Sequence, residues 1–490
     1  MPHHGVKRVV VIGCGVAGLQ VIRRLSEADF QVLALEGNGE VGGVWSKNYY
    51  GYCLQCPWDL YTFPDFPYPE HLRPATTYPT GLEVQAYIRA YAEHFSLHQH
   101  IKLNCRLLQL RPGPHGQGWR VLYLDCVADR FYSVAADFVV MATGIYNQPL
   151  IPRIENEAEF KGQCTHAKHF TDPSLADNKD VVVVGAGKTA VDVQTMLAAS
   201  KRARSVTALL RQGHWPVPRQ VHGLSIRSIV FNRAIVDMLP PYYTSKPSAQ
   251  VMHKAIKPVK RLFWRWFEGY IQADFNLSAE RLPMERLPRD LFSGSQILDN
   301  KAAKWIMPGA VPTVRGSIQS FTANGILLQD GSFLRADLVL FCTGYTKSYE
   351  YLPGTLRAKL DLQKDGLYLY RNIIPPCIPN LAFIGAEVST YNNILTSGLQ
   401  SLWLTALLQG RVQLPPVQVM QADVKEQQRW KRKVMPAQQH RGCVLMLYMQ
   451  CYHDQLVTDL GLSPYRKVGP MCCLGLLAAW GEPGTTAARV

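Results

Sequence analysis

Gly13, Gly15 and Gly18 stand in the order G-x-G-x-x-G directly after four apolar residues, Val9 to Ile12, and Gly185 and Gly187 open a second such turn after Asp180 to Val184. Glycines at this spacing provide a tight bend, a backbone that a pyrophosphate can approach, and a helix packed closely on its strand with phosphate at its N-terminus. The chemistry they serve is the holding of a dinucleotide, twice on one chain. One such turn is weak evidence, but two in strand-turn-helix context are strong.

The residues downstream of each turn tell the two apart. Glu36 stands 23 positions after Gly13, at the end of the second apolar strand, Gln31 to Leu35. There a carboxylate accepts hydrogen bonds from ribose hydroxyls and repels a 2′-phosphate, which suits FAD or NAD. Arg211 stands 26 positions after Gly185 in the matching place, and its guanidinium suits the 2′-phosphate of NADPH. Val16 and Ala17 begin the first helix, whose N-terminus faces the phosphates, and Lys188 and Thr189 begin the second. Gly42-Gly43-Val44-Trp45 comes soon after Glu36, so that Gly43, Val44 and Trp45 offer backbone and an indole to a flavin ring.

These residues need elements to position them. Val9 to Ile12, a helix over Val16 to Leu25, and Gln31 to Leu35 make a complete βαβ unit on a buried parallel strand. Asp180 to Val184, a helix from Thr189 to about Ala199, and Ser205 to Leu210 repeat it. Asp137 to Gly144 and Asp337 to Gly344 are two further apolar strands running into Thr-Gly, the second read as the return of the chain to its first domain. Gly325 to Arg335 reads as a hairpin, Asn380 to Gly385 as another strand and Ile394 to Leu408 as a covering helix. The pattern predicts an α/β fold of two Rossmann-like dinucleotide-binding domains, an NADPH domain inserted into an FAD domain in a glutathione-reductase-like arrangement. The FAD domain takes 1–168 and 336–467, the latter ending in a helical segment. The NADPH domain takes 169–335 with a mostly helical insertion at about 221–310, and 468–490 form a flexible tail.

Composition bounds the partners. At 490 residues two or three domains are expected. The 52 Lys+Arg against 37 Asp+Glu give +15, which favours anionic cofactors or a membrane surface; the excess is spread out, so nucleic acid is not expected. Residues 1 to 8 run straight into the first strand with no space for a secretory apolar region, and a cytoplasmic chain is expected. Its twelve cysteines then read as reduced thiols, and no His spacing suggests a metal site. No apolar run reaches the roughly 18 to 20 residues that span a bilayer, Met471 to Trp480 being too short. Lys257 to Tyr270 interleaves basic and aromatic residues; a helix packed on the NADPH domain is favoured there over one lying on an anionic membrane.

Between the two units, Phe160-Lys-Gly162-Gln-Cys-Thr-His166-Ala-Lys-His169-Phe170 has the form F-x-G-x-x-x-H-x-x-x-F. It resembles the fingerprint of the flavin-containing monooxygenases, the N- and S-oxygenating branch of the class B flavoprotein monooxygenases, whose Baeyer-Villiger relatives usually carry Trp in place of Phe170. Over about Val9 to Lys467 further segments are similar to that family: Glu36 to Trp45 to E-x5-G-G-x-W, Asp65 to Pro67 to D-F-P, Trp215 to Arg219 to W-x-x-P-R, and Cys342 to Tyr345 to A-T-G-Y. Trp430 to Pro436 and Tyr452 to Gly461 resemble the plant-type branch. The resemblance implies that NADPH reduces FAD, that O2 adds at the flavin C4a position as a hydroperoxide, and that an amine nitrogen or sulfide sulfur of a small molecule takes one oxygen. The protein then contributes positioning and exclusion of water. Where the family usually has Asn in T-N-x-P, this chain reads Leu54-Gln55-Cys56-Pro57, and the resemblance makes Gln55, the same amide on a longer arm, the catalytic residue.

Rival readings stay open. Oxygenation of a ketone is one, and an NADPH-dependent disulfide reductase using Cys53 and Cys56 is a more distant second. An interaction protein on a degenerate scaffold needs damaged cofactor motifs, and these are intact. A linker role for His166 is favoured over catalysis because it lies between the units. Substrate identity and oligomeric state are not written in the sequence.

Overall fold

Unbroken β-branched runs are buried on both faces, and in this chain they form the centres of two all-parallel sheets. The computed structural model describes residues 5–226, 233–389 and 392–464; the tail at 468–490, with Met471 to Trp480, lies outside them. In chain order the elements that concern the site are β1 (Arg8–Ile12), α1 (Val16–Ser26), β2 (Gln31–Leu35), β3 (Ile101–Lys102), β4 (Phe138–Met141), β5 (Gln163–His166), β6 (Asp180–Val184), α2 (Lys188–Ser200), β7 (Ser205–Leu210), α3 (Lys257–Phe275), β8 (Thr313–Arg315), β9 (Leu338–Phe341), β10 (Leu381–Phe383), α4 (Asn393–Leu408), α5 (Val417–Val434) and α6 (Met449–Asp459).

The first sheet runs β10-β4-β1-β2-β3 and the second β8-β7-β6-β9-β5, every neighbour parallel. Each is an α/β unit with its glycine turn at the end of the central strand. The duplication extends further. An antiparallel meander of Cys105–Pro112, Trp119–Asp125 and Arg130–Ala136 precedes β4, and one of Ile318–Thr322, Gly325–Leu328 and Phe333–Arg335 precedes β9.

That duplication corrects the boundaries drawn at 168 and 335. β9 pairs with β6, Leu338 beside Val181, and β5 pairs with β9, so both strands belong to the second sheet. Asp337 to Gly344 is therefore the second unit's copy of Asp137 to Gly144, and not the return. The chain re-enters the first sheet at β10, beside β4. Both segments run five apolar residues from an Asp into Thr-Gly, so only the hydrogen-bond partner tells them apart.

The stretch at 221–310 is mostly helical where it is described, and α3 is its longest helix. Trp264, Phe267, Ile271 and Phe275 of α3 are buried, and the Trp264 indole donates to the Met238 carbonyl at 3.1 Å. Helix α4 covers the first sheet: the Gln20 amide of α1 donates to the Ile394 carbonyl at 3.0 Å and to Ser397 Oγ at 2.8 Å. The C-terminal helices tie the insertion to the first unit. Trp430 of α5 donates to the Pro241 carbonyl at 2.8 Å, while Arg371 pairs with Asp459 of α6 at 2.7 Å.

Candidate cofactor and active site

Both glycine turns are built alike. Gly13 N–H donates to the Leu35 carbonyl at 2.8 Å and Gly185 N–H to the Leu209 carbonyl at 2.9 Å. Gly13 has φ +100° and Gly185 φ +134°, and a Cβ at these positions would lie 2.6 Å from the Ala142 carbonyl oxygen and 2.5 Å from that of Cys342. L-residues with a side chain are excluded there twice over. A Cβ on Gly18 would lie 1.9 Å from the Gly13 carbonyl oxygen, so glycine alone lets α1 start so close to the turn. Helices α1 and α2 begin at Gly15 and Gly187 with no side-chain cap and no acidic residue in the first turn, which leaves their leading N–H groups, from Val16, Ala17, Lys188 and Thr189 onward, to an anion.

At the ribose end of the first turn the buried Glu36 carboxylate is held fixed. Its Oε2 accepts from Cys14 N–H at 2.7 Å and its Oε1 from Asn38 N–H and Nδ2 at 2.9 and 2.8 Å. Oε1 has both lone pairs engaged, and Oε2 keeps one for a hydroxyl donor. The Gly42-Gly43 segment docks on the turn: Gly42 N–H donates to the Cys14 carbonyl at 2.9 Å, and a Cβ on Gly43 would lie 3.1 Å from the Gly15 Cα. Val44 and Trp45 continue in a short 3-10 turn, and the Trp45 indole donates to the Tyr61 hydroxyl at 2.9 Å.

A further segment reaches this place unannounced by the sequence. After β10, a Cβ on Gly385 would lie 2.6 Å from Ala17 Cβ, and Gly385 N–H donates to Gln400 Oε1 at 2.9 Å. Next to it Glu387 Oε1 and Ser389 Oγ are buried without a protein partner, and burial raises the Glu387 carboxyl above its ordinary range. The one signal for this segment was a glycine closing the strand at Asn380 to Gly385.

The second turn is more open. A Cβ on Gly187 would meet no atom within 4 Å, and the Ala186 carbonyl is held by Gln296 Nε2 at 2.7 Å from the insertion. Arg211 is exposed just beyond β7 and makes no hydrogen bond or ion pair with any described residue. Lys188 is drawn elsewhere. Its ammonium pairs with Asp192, one turn along α2, and lies 3.9 Å from Cys53 Sγ, while Asp192 also accepts from the Tyr49 hydroxyl at 2.8 Å. Thr189 lies beside the same Tyr49 hydroxyl. Because its Cβ has free space, Gly187→Ala is expected to fold and keep its flavin while raising KM for NADPH about tenfold by crowding a ligand-facing backbone. Steady-state kinetics with purified protein checks this, and an unchanged KM would contradict it.

Where the two units meet, Leu54 N–H is tied to the Pro79 carbonyl at 2.9 Å and Gln55 is exposed. Arg219 of the second unit reaches the Leu54 carbonyl at 3.5 Å, lies 3.6 Å over the Tyr78 ring and pairs with Asp299 at 2.8 Å. Cys53 and Cys56 are not joined in a disulfide, and burial pushes Cys56 up to about 12, so it is no thiolate nucleophile near neutral pH.

His166 is a staple. Its Nδ1 accepts from Lys168 N–H at 3.1 Å, which leaves the proton on Nε2, and that nitrogen donates to the Gly344 carbonyl at 3.0 Å. Burial lowers its pKa from the ordinary 6.5 to about 4. The unfolded chain binds this proton near pH 6.5 and the folded one only near 4, so the stability carried by neutral His166 is intact above 6.5 and is lost as pH falls toward 4. Thermal melting is expected to drop across that window, and less steeply in His166→Gln.

Two uncapped glycine turns at the ends of parallel strands, one beside a fixed carboxylate and the other beside a guanidinium unpaired among the described residues, define a two-dinucleotide α/β flavoprotein oxidoreductase. The uncapped helix starts, the glycine cradles and the orphaned Glu387 and Ser389 oxygens fit FAD on the first unit, and Arg211 fits NADPH on the second. The profile of the flavin-binding monooxygenase-like family matches residues 6–466, and the chain belongs to that family. A flavin-containing monooxygenase of Arabidopsis thaliana is 26% identical to it over 94% of this chain and 93% of its own length. Flavin-containing monooxygenase 3 of Homo sapiens is 24% identical over 94% and 83%. Among solved structures, S-allyl-L-cysteine S-oxygenase from Allium sativum aligns with a TM-score of 0.63 at 18% identity over 93% of this chain and 89% of its own. Cyclohexanone monooxygenase from Rhodococcus sp. Phi1, bound to NADP+, aligns with 0.68 at 18% over 93% and 98%. The chain is an NADPH- and O2-dependent flavoprotein monooxygenase with FAD as its flavin. Among the described residues no helix is long and apolar enough to cross a membrane, and no group of three His, Cys, Asp or Glu is placed to hold a metal ion.

Proposed function

We propose that FAD lies along Gly13 to Gly18 with its ribose on Glu36 and its ring toward Gly43, Val44, Trp45 and Gln55. NADPH lies along Gly185, Gly187 and Thr189 with its 2′-phosphate on Arg211, and Lys188 holds the Asp192–Tyr49 contact between units instead of a phosphate. The FAD unit comprises 1–162 with the return from β10 onward, and the NADPH unit the span from β5 to β9. Bound together, the two cofactors supply the electrons and activate O2. The oxygen acceptor is the amine nitrogen or sulfide sulfur of a small molecule, in the cytoplasm.

The arrangement around Gln55 carries this reading. An exposed amide stands where the units meet, and His166, at the end of β5, is held neutral by two backbone partners. A site furnished in this way positions a reactant and moves no proton of its own, which suits a soft nucleophile that needs no deprotonation. Gln55→Ala is expected to go on oxidising NADPH while releasing about tenfold more hydrogen peroxide per oxygenated product. The class is tested by reducing the protein anaerobically with NADPH and then admitting O2 with a tertiary amine, a thioether or a cyclic ketone. An N-oxide or sulfoxide is the expected product; a lactone alone would overturn the reading.

A further inference from the structure

Just past Arg211, the segment from Gly213 to Pro218 and the insertion's Asp290 to Leu298 are joined around one carboxylate. Asp290 is 2% exposed. Its Oδ1 accepts from His214 Nδ1 at 2.7 Å and Ser293 Oγ at 2.9 Å, and its Oδ2 from Trp215 N–H at 2.7 Å and Ser295 Oγ at 2.8 Å. Against the upward pull of burial, His214, Trp215 N–H and Ser295 hold its carboxyl below the ordinary range, so it stays ionised and fixes each of its donors in place. A Cβ on Gly294 would lie 2.2 Å from the His214 ring, so the two stretches also touch where only glycine fits. Gln296–Leu298 then pairs in parallel with Pro216–Pro218, Gln296 beside Pro216.

This frame carries Gln296 to the second glycine turn, where its Nε2 donates to the Ala186 carbonyl at 2.7 Å. That bond settles the orientation of the amide, since only its NH2 end can meet a carbonyl. Oε1 is therefore an acceptor, and it is buried without a hydrogen-bond partner among the described residues, in a residue 8% exposed. Buried amide oxygens are nearly always satisfied, and one left bare beside a ligand-binding turn calls for a donor from the ligand. The turn has room for it: a Cβ on Gly187 would meet no atom within 4 Å, and α2 starts without a side-chain cap. A dinucleotide brings two kinds of polar group to such a turn. Its pyrophosphate oxygens accept, and go to the leading N–H groups of α2; the hydroxyls of the flanking riboses donate, and Oε1 is the acceptor that suits them.

We propose that Gln296 is a further NADPH-binding residue, its Oε1 accepting a hydrogen bond from a ribose hydroxyl next to the pyrophosphate, and that Asp290 and Ser295 position it from the insertion. On the reading that NADPH lies along Gly185 and Gly187, Arg211 then recognises the 2′-phosphate, which NADH lacks, and Gln296 a hydroxyl that both dinucleotides carry.

The test is titration calorimetry of the oxidised, flavin-loaded full chain with NADP+ and with NAD+. Gln296→Leu should weaken both by roughly 3- to 10-fold and leave the preference between them unchanged. Inorganic pyrophosphate, which has no hydroxyl, should displace NADP+ with the same inhibition constant in variant and wild type. Ser295→Ala should weaken NADP+ by about threefold and add nothing on top of Gln296→Leu, because it acts through that side chain. Flavin content and thermal melting check folding, and if Gln296→Leu fails to retain flavin, Ser295→Ala decides with the same two nucleotides. Unchanged NADP+ affinity in Gln296→Leu overturns the proposal, as does a pyrophosphate constant weakened by the same factor, which would reduce Gln296 to a support for the turn. Additive losses in the double variant overturn the positioning role of Ser295. If Gly187→Ala and Arg211→Ala weaken NADP+ and Gln296→Leu does not, the role of Gln296 falls by itself; if none of the three weakens it, the placement of NADPH on this turn falls as well.

Discussion

Gly18→Ala is expected to yield a protein that emerges from purification without flavin. The added methyl would stand 1.9 Å from the Gly13 carbonyl oxygen, which belongs to the backbone and has no rotamer through which to move away. Relief requires α1 to slide off the turn, and α1 is locked by Gln20 to Ile394 and Ser397 of α4 and by Gly385, which packs on Ala17. The turn must give instead. Overpacking of this kind costs about 1 to 3 kcal/mol, and at the upper end about a hundredfold in affinity if it falls on the cofactor site. Flavin absorbance per protein after gel filtration is the measurement, with thermal melting alongside to separate lost cofactor from lost fold. A yellow protein with wild-type flavin content would show that the helix can shift at no cost. Gly187→Ala is the internal control, because the same methyl there meets open space and is expected to disturb only the second ligand.

The contrast between these glycines shows where sequence legibility ends. Periodicity and punctuation located both βαβ units, because buried parallel strands and their glycine turns follow from strictly local demands on backbone and burial. The places of Glu36 and Arg211 in the fold were legible for the same reason: each is the first residue past a strand whose position the turn already determines. Which sheet Leu338–Phe341 joins was not legible, since its residues satisfy either sheet equally and only the pairing with Val181 to Val184 decides. Nor was the approach of Gly385, Glu387 and Ser389 to α1, a contact between segments about 370 positions apart with no motif of its own. Lys188 shows a third limit. Its place at a helix start argues for a phosphate, yet a carboxylate four residues on, at the same helix face, captures it first.

That capture sharpens the expectation for Arg211. Lys188, Arg211 and Arg315 stand at or just past the ends of elements of the second unit. Lys188 is paired with Asp192, and Arg315 spends its guanidinium on the Glu280 and Leu282 carbonyls. Arg211 alone among them has no partner among the described residues, so it is the one whose charge is available to a 2′-phosphate. A hydrogen bond to a charged group contributes about 1.5 to 3 kcal/mol, which corresponds to roughly 10- to 150-fold in affinity. Arg211→Ala should therefore raise KM for NADPH by roughly that factor and leave KM for NADH, which lacks the phosphate, within about twofold. Fold and flavin content should be unchanged, since an exposed side chain without contacts contributes within about 0.5 kcal/mol of nothing to stability. Raising ionic strength on the wild type should weaken NADPH in the same direction, and should do so less in the variant. Equal losses for NADPH and NADH would mean that Arg211 supports the turn and does not read the phosphate; an unchanged NADPH preference would pass the role to another cation and would require Lys188 to leave Asp192 when the ligand binds.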